Sequence, residues 1–219
     1  MRNRPWFAAV EAAAVYLVLL WYIWVGQARS IAWVAVPLLA VVASHVWHRE
    51  TPAALGFRLT NLGPCARAAG PPFLAMALGV VAMGAALGLD ERASFGRFAV
   101  IFAGYVPWAI FQQYALNGFF VNRFAASVRS ANGAAALGAA CFAGAHVPNW
   151  PLMAVTLIAG YIAARVYLAH RNLIVLGLAH AFVGSLLAVA VPTSVMHGMR
   201  TGPAEWHAQH LPAIRILGK

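Results

Sequence analysis

The sequence predicts an all-α fold, a polytopic integral membrane bundle of about seven transmembrane helices. Three observations predict it. The 219 residues are 63% hydrophobic and only 9% charged, against about 25% charged in a soluble domain. Mean hydropathy is +0.75, so the bilayer is the solvent. Seven apolar runs of spanning length follow one another, with most of the arginines between them.

Each run has its own signals. Residues 6–25 follow a short basic start and lack a small-residue cleavage site, which predicts an uncleaved helix. Glu11 lies inside it, roughly two turns from the basic end, where solvent or Arg4 would compensate it. Trp21, Tyr22 and Trp24 mark the far interface. Residues 31–47 form the second span. His45 and His48 at its end are expected at the interface. Residues 48–69 are a polar connection with a partly apolar interfacial segment. Residues 71–89, rich in Ala and Gly, form the third span and permit close helix contact. The charged turn Asp90-Glu91-Arg92 ends it.

Residues 98–124 are the fourth span, with Pro107 predicted to kink it about one turn before Gln112 and Gln113. Residues 131–147 are the fifth, stopped by Pro148 and Pro151. Residues 152–169 and 172–191 complete the set. Arg165 is expected to snorkel. The polar residues 192–219, with His197, His207 and His210, read as a tail outside the membrane core. Residues 1–191 thus make one transmembrane domain. With the N-terminus inside, nine of the 15 basic residues fall on the cytoplasmic side and six on the other, which favours that orientation.

Composition limits function as well. Cys65 and Cys141 have no CxxC spacing, which argues against a disulfide framework or zinc ribbon. The net charge of +10 resides in loop arginines that set topology and meet anionic headgroups. No basic stripe with interleaved aromatics suggests nucleic acid. No period of 20–50 residues indicates a solenoid.

Polar groups inside apolar runs need partners or a cavity, because an unpartnered one costs roughly several kcal/mol in hydrocarbon. Gln113 and Asn117 are four apart and share a helix face. Gln112 lies about 100° away on the same turn. Asn122 and Arg165 are further polar residues within the runs. His146 and His180 come from two other runs, and all could converge on one pocket. A hydrogen bond to a neighbouring helix, worth about 1 kcal/mol, would explain any single amide. His146 and His180 without a carboxylate or thiolate make a poor zinc site, so no cofactor is expected, with a metal held by that histidine pair as the alternative.

The order of these groups resembles the CAAX protease and bacteriocin-processing family of intramembrane endopeptidases, which includes type II CAAX prenyl endopeptidases and abortive-infection-type proteins. Its pattern is Glu-Glu-x-x-x-Arg, then Phe-x-x-x-His, then His-x-x-x-Asn/Asp. The chain reads Gln112-Gln113-Tyr114-Ala115-Leu116-Asn117, then Phe142-Ala143-Gly144-Ala145-His146, then His180-Ala181-Phe182-Val183-Gly184. Leu55-Gly56-Phe57-Arg58, His146-Val147-Pro148-Asn149 and Gly160 fit as context, and the likeness covers roughly residues 50–190.

The resemblance implies a catalytic set of His146, His180, Gln112 and Gln113, with Asn117, Phe142 and Asn149 around it. It also implies a bacterial inner membrane location and a lipidated or membrane-bound peptide as partner. The family's carboxylates activate water, whereas a glutamine amide cannot accept its proton. Asn117 stands where an arginine would compensate those carboxylates, so the site is neutralised as a unit. Two functions follow. One is an endopeptidase-like protein with lost or altered proteolysis. The other is a non-catalytic scaffold whose pocket holds a lipidated peptide, an isoprenoid or a partner transmembrane helix.

Overall fold

The computed structural model describes residues 4–89 and 93–203. The Asp90-Glu91-Arg92 turn, Arg2 and the tail residues His207, His210, Arg215 and Lys219 lie outside the described residues. Among the described residues the chain is helical, with no strand.

The first rod is α1 (Pro5–Trp21), continued by a π turn (Tyr22–Gly26) and α2 (Gln27–Arg29). The second is a 3-10 turn (Ile31–Val34) leading into α3 (Ala35–His48). A short α4 (Pro52–Leu55) precedes α5 (Leu62–Leu87). The fourth rod is α6 (Phe95–Gln113), a π segment (Tyr114–Val121) and α7 (Asn122–Ser127). Then come α8 (Ala131–Gly144), α9 (Trp150–His170), α10 (Leu173–Ala190) and a short α11 (Thr193–Met196). Five rods are long and apolar enough to cross a membrane: Pro5–Arg29, Ile31–His48, Leu62–Leu87, Trp150–His170 and Leu173–Ala190. With the fourth rod and the shorter apolar α8 there are seven rods among the described residues, five of which meet that length and hydropathy, as in a polytopic helical membrane protein.

Side chains start several of these helices. Ser94, Ser130, Asn149 and Asn172 each accept a backbone N–H from the first turn that follows, satisfying donors that would otherwise be orphaned.

Three boundaries differ from the sequence expectation. Helix α5 begins at Leu62, nine residues early, and runs through Pro71 and Pro72. Its buried residues Cys65, Ala69, Phe73, Ala77, Val80 and Gly84 fall three or four apart. That stripe against α9 and α10 continues across the prolines and offsets the two donors they remove. Helix α6 passes Pro107 as an α-helix, and regular winding gives way at Tyr114, just after the glutamines. Such π segments recur at functional sites. Helix α8 ends at Gly144, so His146 sits in the turn that follows.

Helix α10 lies against α5, α6 and α9 and forms the centre of the core. It approaches α6 closely at Gly177, where a Cβ would overlap Ile110. This approach carries His180 to the glutamines. On the other side, α1 packs on α3 and α7. The loop after α4 is fastened to the α9–α10 junction. Tyr167 donates its hydroxyl to the Leu55 carbonyl at 2.9 Å, and Leu173 N–H donates to Gly56 O at 2.9 Å.

Candidate functional site

A chain of neutral hydrogen bonds connects α6 to α10. Asn117 Nδ2 donates to Gln113 Oε1 at 2.6 Å. The Gln113 amide nitrogen therefore faces His180 Nδ1, at 3.1 Å, and donates to it. With Nδ1 accepting, the network places the His180 proton on Nε2. Nε2–H then donates to the Tyr105 oxygen at 3.3 Å, and Tyr105 donates its own proton to Gln112 Oε1 at 3.0 Å. Gln113 is 2% exposed and Asn117 fully buried, so each lost partner would leave a costly orphan.

His146 stands on the other side of Phe142. Its Nδ1–H donates to the Phe142 carbonyl at 2.6 Å, which leaves the Nε2 lone pair unused by that contact. The Phe142 ring meets His146 edge-on at 5.0 Å and His180 at 5.8 Å. The two imidazoles thus flank one aromatic partition.

Two cavities meet at this partition. The larger, about 440 Å³, lies between the N-terminal rods and the rest of the bundle. Its wall is mostly apolar, from residues such as Leu19, Leu38 and Val41, with Gln112, Tyr105, His146, Gln27 and Thr201 among its polar points. The smaller, about 40 Å³, is lined by Gln113, His180 and Gly184. Tyr105, Phe142, His146, Leu152 and Met199 border both.

The expected site residues are thus placed as follows. Asn117, Gln113 and His180 are joined directly and Gln112 joins them through Tyr105, while Phe142 and His146 complete the walls. Asn149 stands apart and lines neither cavity. It is fully buried, caps α9 at Leu152 N–H, and donates to the carbonyls of Met196 and Arg200 at 3.0 and 3.1 Å. It ties the segment after α10 across the turn that holds His146, and Met199 and Thr201 of that segment reach the large cavity.

Two features lay beyond the sequence reasoning. One is Tyr105, a single aromatic among many, whose only signal was its position two turns before Gln112. The other is an ion cluster at the end of the bundle where α3 finishes. Arg123 is 4% exposed. It donates from Nη1 and Nη2 to the two Glu50 oxygens at 3.0 and 2.7 Å and to Ser44 Oγ at 2.8 Å. Its Nε lies 2.9 Å from Glu11 Oε2. His48 Nε2 is 3.1 Å from Glu11 and His45 Nδ1 is 2.7 Å from Glu50.

Glu11 is therefore paired with Arg123 and His48, and His45 is buried rather than interfacial. The signal was an unexplained carboxylate in α1 and Ser44, His45 and His48 clustered near one helix end. Burial pushes the Glu50 carboxyl up, but hydrogen bonds from His45 and Arg123 outweigh it and bring it down to about 2. None of these five ionisable groups lines either cavity. The cluster fastens α1 and α3 to α7; it has the atoms for acid–base work but no chamber.

Among the described residues, no group of three or more His, Cys, Asp or Glu side chains is placed to hold a metal ion. Residues 94–186 match the family model described as type II CAAX prenyl endopeptidase Rce1-like. No curated protein and no solved structure matches the chain. The matched stretch holds Tyr105 and every expected site residue, while α1 to α5 lie before it.

Proposed function

We infer that this chain, an integral membrane protein carrying a type II CAAX prenyl endopeptidase Rce1-like domain over residues 94–186, binds a lipid-modified peptide without carboxylate-driven hydrolysis. The observation that carries this reading is the one-directional hydrogen-bond chain from Asn117 through Gln113, His180 and Tyr105 to Gln112. Both His180 nitrogens are used in it, and no member is a carboxylate. The two described carboxylates, Glu11 and Glu50, are held by Arg123 away from both cavities. An apolar chamber of about 440 Å³ is of the size that takes a small ligand. Gln112 Nε2–H₂ offers its polar end a donor, and His146 Nε2 an acceptor. That pair complements an amide group, which accepts at oxygen and donates at nitrogen. We place the protein in a bacterial inner membrane, with its N-terminus on the cytoplasmic face as the basic loops favour.

A second reading is favoured by His146 alone. A neutral imidazole with a lone pair at the chamber is a base suited to neutral pH. Water would attack the peptide carbonyl carbon, passing its proton to His146 Nε2. The same proton would go to the leaving nitrogen as the C–N bond breaks.

One experiment separates the two. The protein in lipid nanodiscs is mixed with a fluorescent farnesylated peptide, and binding and cleavage are read together. The binding reading expects saturable binding and no product. Loss of one hydrogen-bond donor in Gln112→Ala should weaken binding about 3- to 10-fold. Cleavage that disappears in His146→Ala would overturn the binding reading and support the second. Absence of both binding and cleavage would overturn both.

A further inference from the structure

We propose that Tyr105 is the positioning residue of this site: its ring occupies the hollow at Gly184, and its hydroxyl fixes the His180 tautomer and turns the Gln112 amide toward the large chamber.

The steric part begins at Gly184, the last residue of the third motif. A Cβ built there would lie 2.7 Å from Tyr105 Cε1 and 3.5 Å from Cδ1 and Cζ. A carbon–carbon approach of 2.7 Å is far inside van der Waals contact. The missing side chain at Gly184 and the ring of Tyr105 are therefore one arrangement. The ring also meets His180 edge-on at 5.7 Å and 84°, a favoured aromatic geometry.

The polar part follows from counting protons. A phenol has one hydrogen to give. Gln112 Oε1, at 3.0 Å, has no hydrogen and must receive it. The Tyr105 oxygen then accepts from His180 Nε2–H. Each assignment forces the next: Nδ1 of His180 must accept, which Gln113 satisfies. At the other end, Gln112 with its oxygen held by Tyr105 has its NH₂ left for the chamber that both residues line. Removing the hydroxyl alone would free the Gln112 amide to flip and leave His180 Nε2–H without its acceptor. The Asn117 amide, whose Oδ1 has no partner, can then reverse together with Gln113, so that Gln113 Oε1 accepts from Nδ1–H and the His180 proton can occupy either nitrogen. That Gln112 serves a bound peptide rests on the binding reading above; the tautomer and the amide orientation do not.

The test uses protein with ¹⁵N-labelled histidine in nanodiscs, with the His180 signals identified by their loss in His180→Gln. The two ring nitrogens of the unliganded wild type should show one neutral tautomer, protonated at Nε2. Tyr105→Phe keeps the ring in the Gly184 hollow and removes only the hydroxyl. It should mix the tautomers and weaken farnesylated-peptide binding about 3- to 10-fold, with the thermal midpoint lowered less than in Tyr105→Ala, which also loses the ring. Gly184→Ala should lower the midpoint in wild type and much less in Tyr105→Ala, where the ring is gone. An unchanged His180 tautomer in Tyr105→Phe would overturn the proposal, as would equal Gly184→Ala costs in both backgrounds. If the tautomer shifts but no peptide binds to any form, the positioning role stands and the binding reading falls.

Discussion

Gln113 and His180 meet across α6 and α10 through a 3.1 Å hydrogen bond in which the amide donates to Nδ1. The pairing matches the Nε2 protonation that Tyr105 accepts from on the other side of the ring, so it runs in the same direction as the other bonds of the chain. A carboxylate at position 113 would reverse it, because an oxygen facing Nδ1 needs the proton there.

Gln113→Glu alone should therefore be destabilising. It puts a charge beside Asn117 and His180 in a 2% exposed position with no cation to compensate it. A buried unpaired charge costs on the order of 3–5 kcal/mol, unless the group takes up a proton instead. The triple change Gln112→Glu, Gln113→Glu, Asn117→Arg should recover most of that loss and gain peptide cleavage. Thermal unfolding in nanodiscs and the farnesylated-peptide assay check the two halves.

Arg123→Met should unfasten the N-terminal rods. It leaves Glu11 and Glu50 facing each other without their shared cation, at a cost of about 3–5 kcal/mol. Arg123→Lys should rescue only partly, since one ammonium cannot span both Glu50 oxygens and Glu11 in a fixed fork. Thermal midpoints, together with proteolysis between α3 and α5, read this out.

The same cluster predicts an acid limb of stability. The Glu50 carboxyl lies at about 2 in the folded protein against 4.5 ordinarily. Between those values the unfolded chain binds the extra proton, so stability falls with falling pH. The contribution should be whole above pH 4.5 and lost as pH approaches 2. Glu50→Gln should lower the midpoint at neutral pH and flatten its dependence over that window. A midpoint series from pH 6 downward measures both.

Asn149→Ala should open the large cavity to solution at the end where the post-α10 segment crosses. The side chain holds the carbonyls of Met196 and Arg200, and its loss frees Met199 and Thr201 from the cavity wall. Cys141 lines that cavity, whereas Cys65 is fully buried elsewhere. Maleimide labelling of Cys141 should accelerate several-fold, with Cys65 unchanged. Equal rates in wild type and variant would show that this segment does not restrict access.

The sequence carried the rods because apolar length is a local property. It carried the shared face of Gln113 and Asn117 because helical spacing is local too. What it missed depends on distant partners. The early start of α5 rests on a stripe completed by α9 and α10, which outweighs the two prolines that look like a boundary. Asn149 sits in a familiar motif context, but its bonds go to carbonyls about 50 residues away. Glu11, His45, His48 and Arg123 look like unrelated surface charges until three rods bring them together. Tyr105 matters only because Gly184 leaves room for it, a relation between positions 79 residues apart.

The large cavity has walls of two origins. Gln112, Tyr105 and His146 come from the matched stretch, while Gln27 comes from α2 and Leu19, Leu38 and Val41 come from α1 and α3. Those two helices are secured at one end by a single guanidinium. The molecule is thus divided like a mould, with one half carrying the reading head and the other setting the shape of the cast. Exchange of the hairpin, with Glu11, His45, His48 and Glu50 kept as its fastening, would change which cargo fits while the amides and histidines stay untouched.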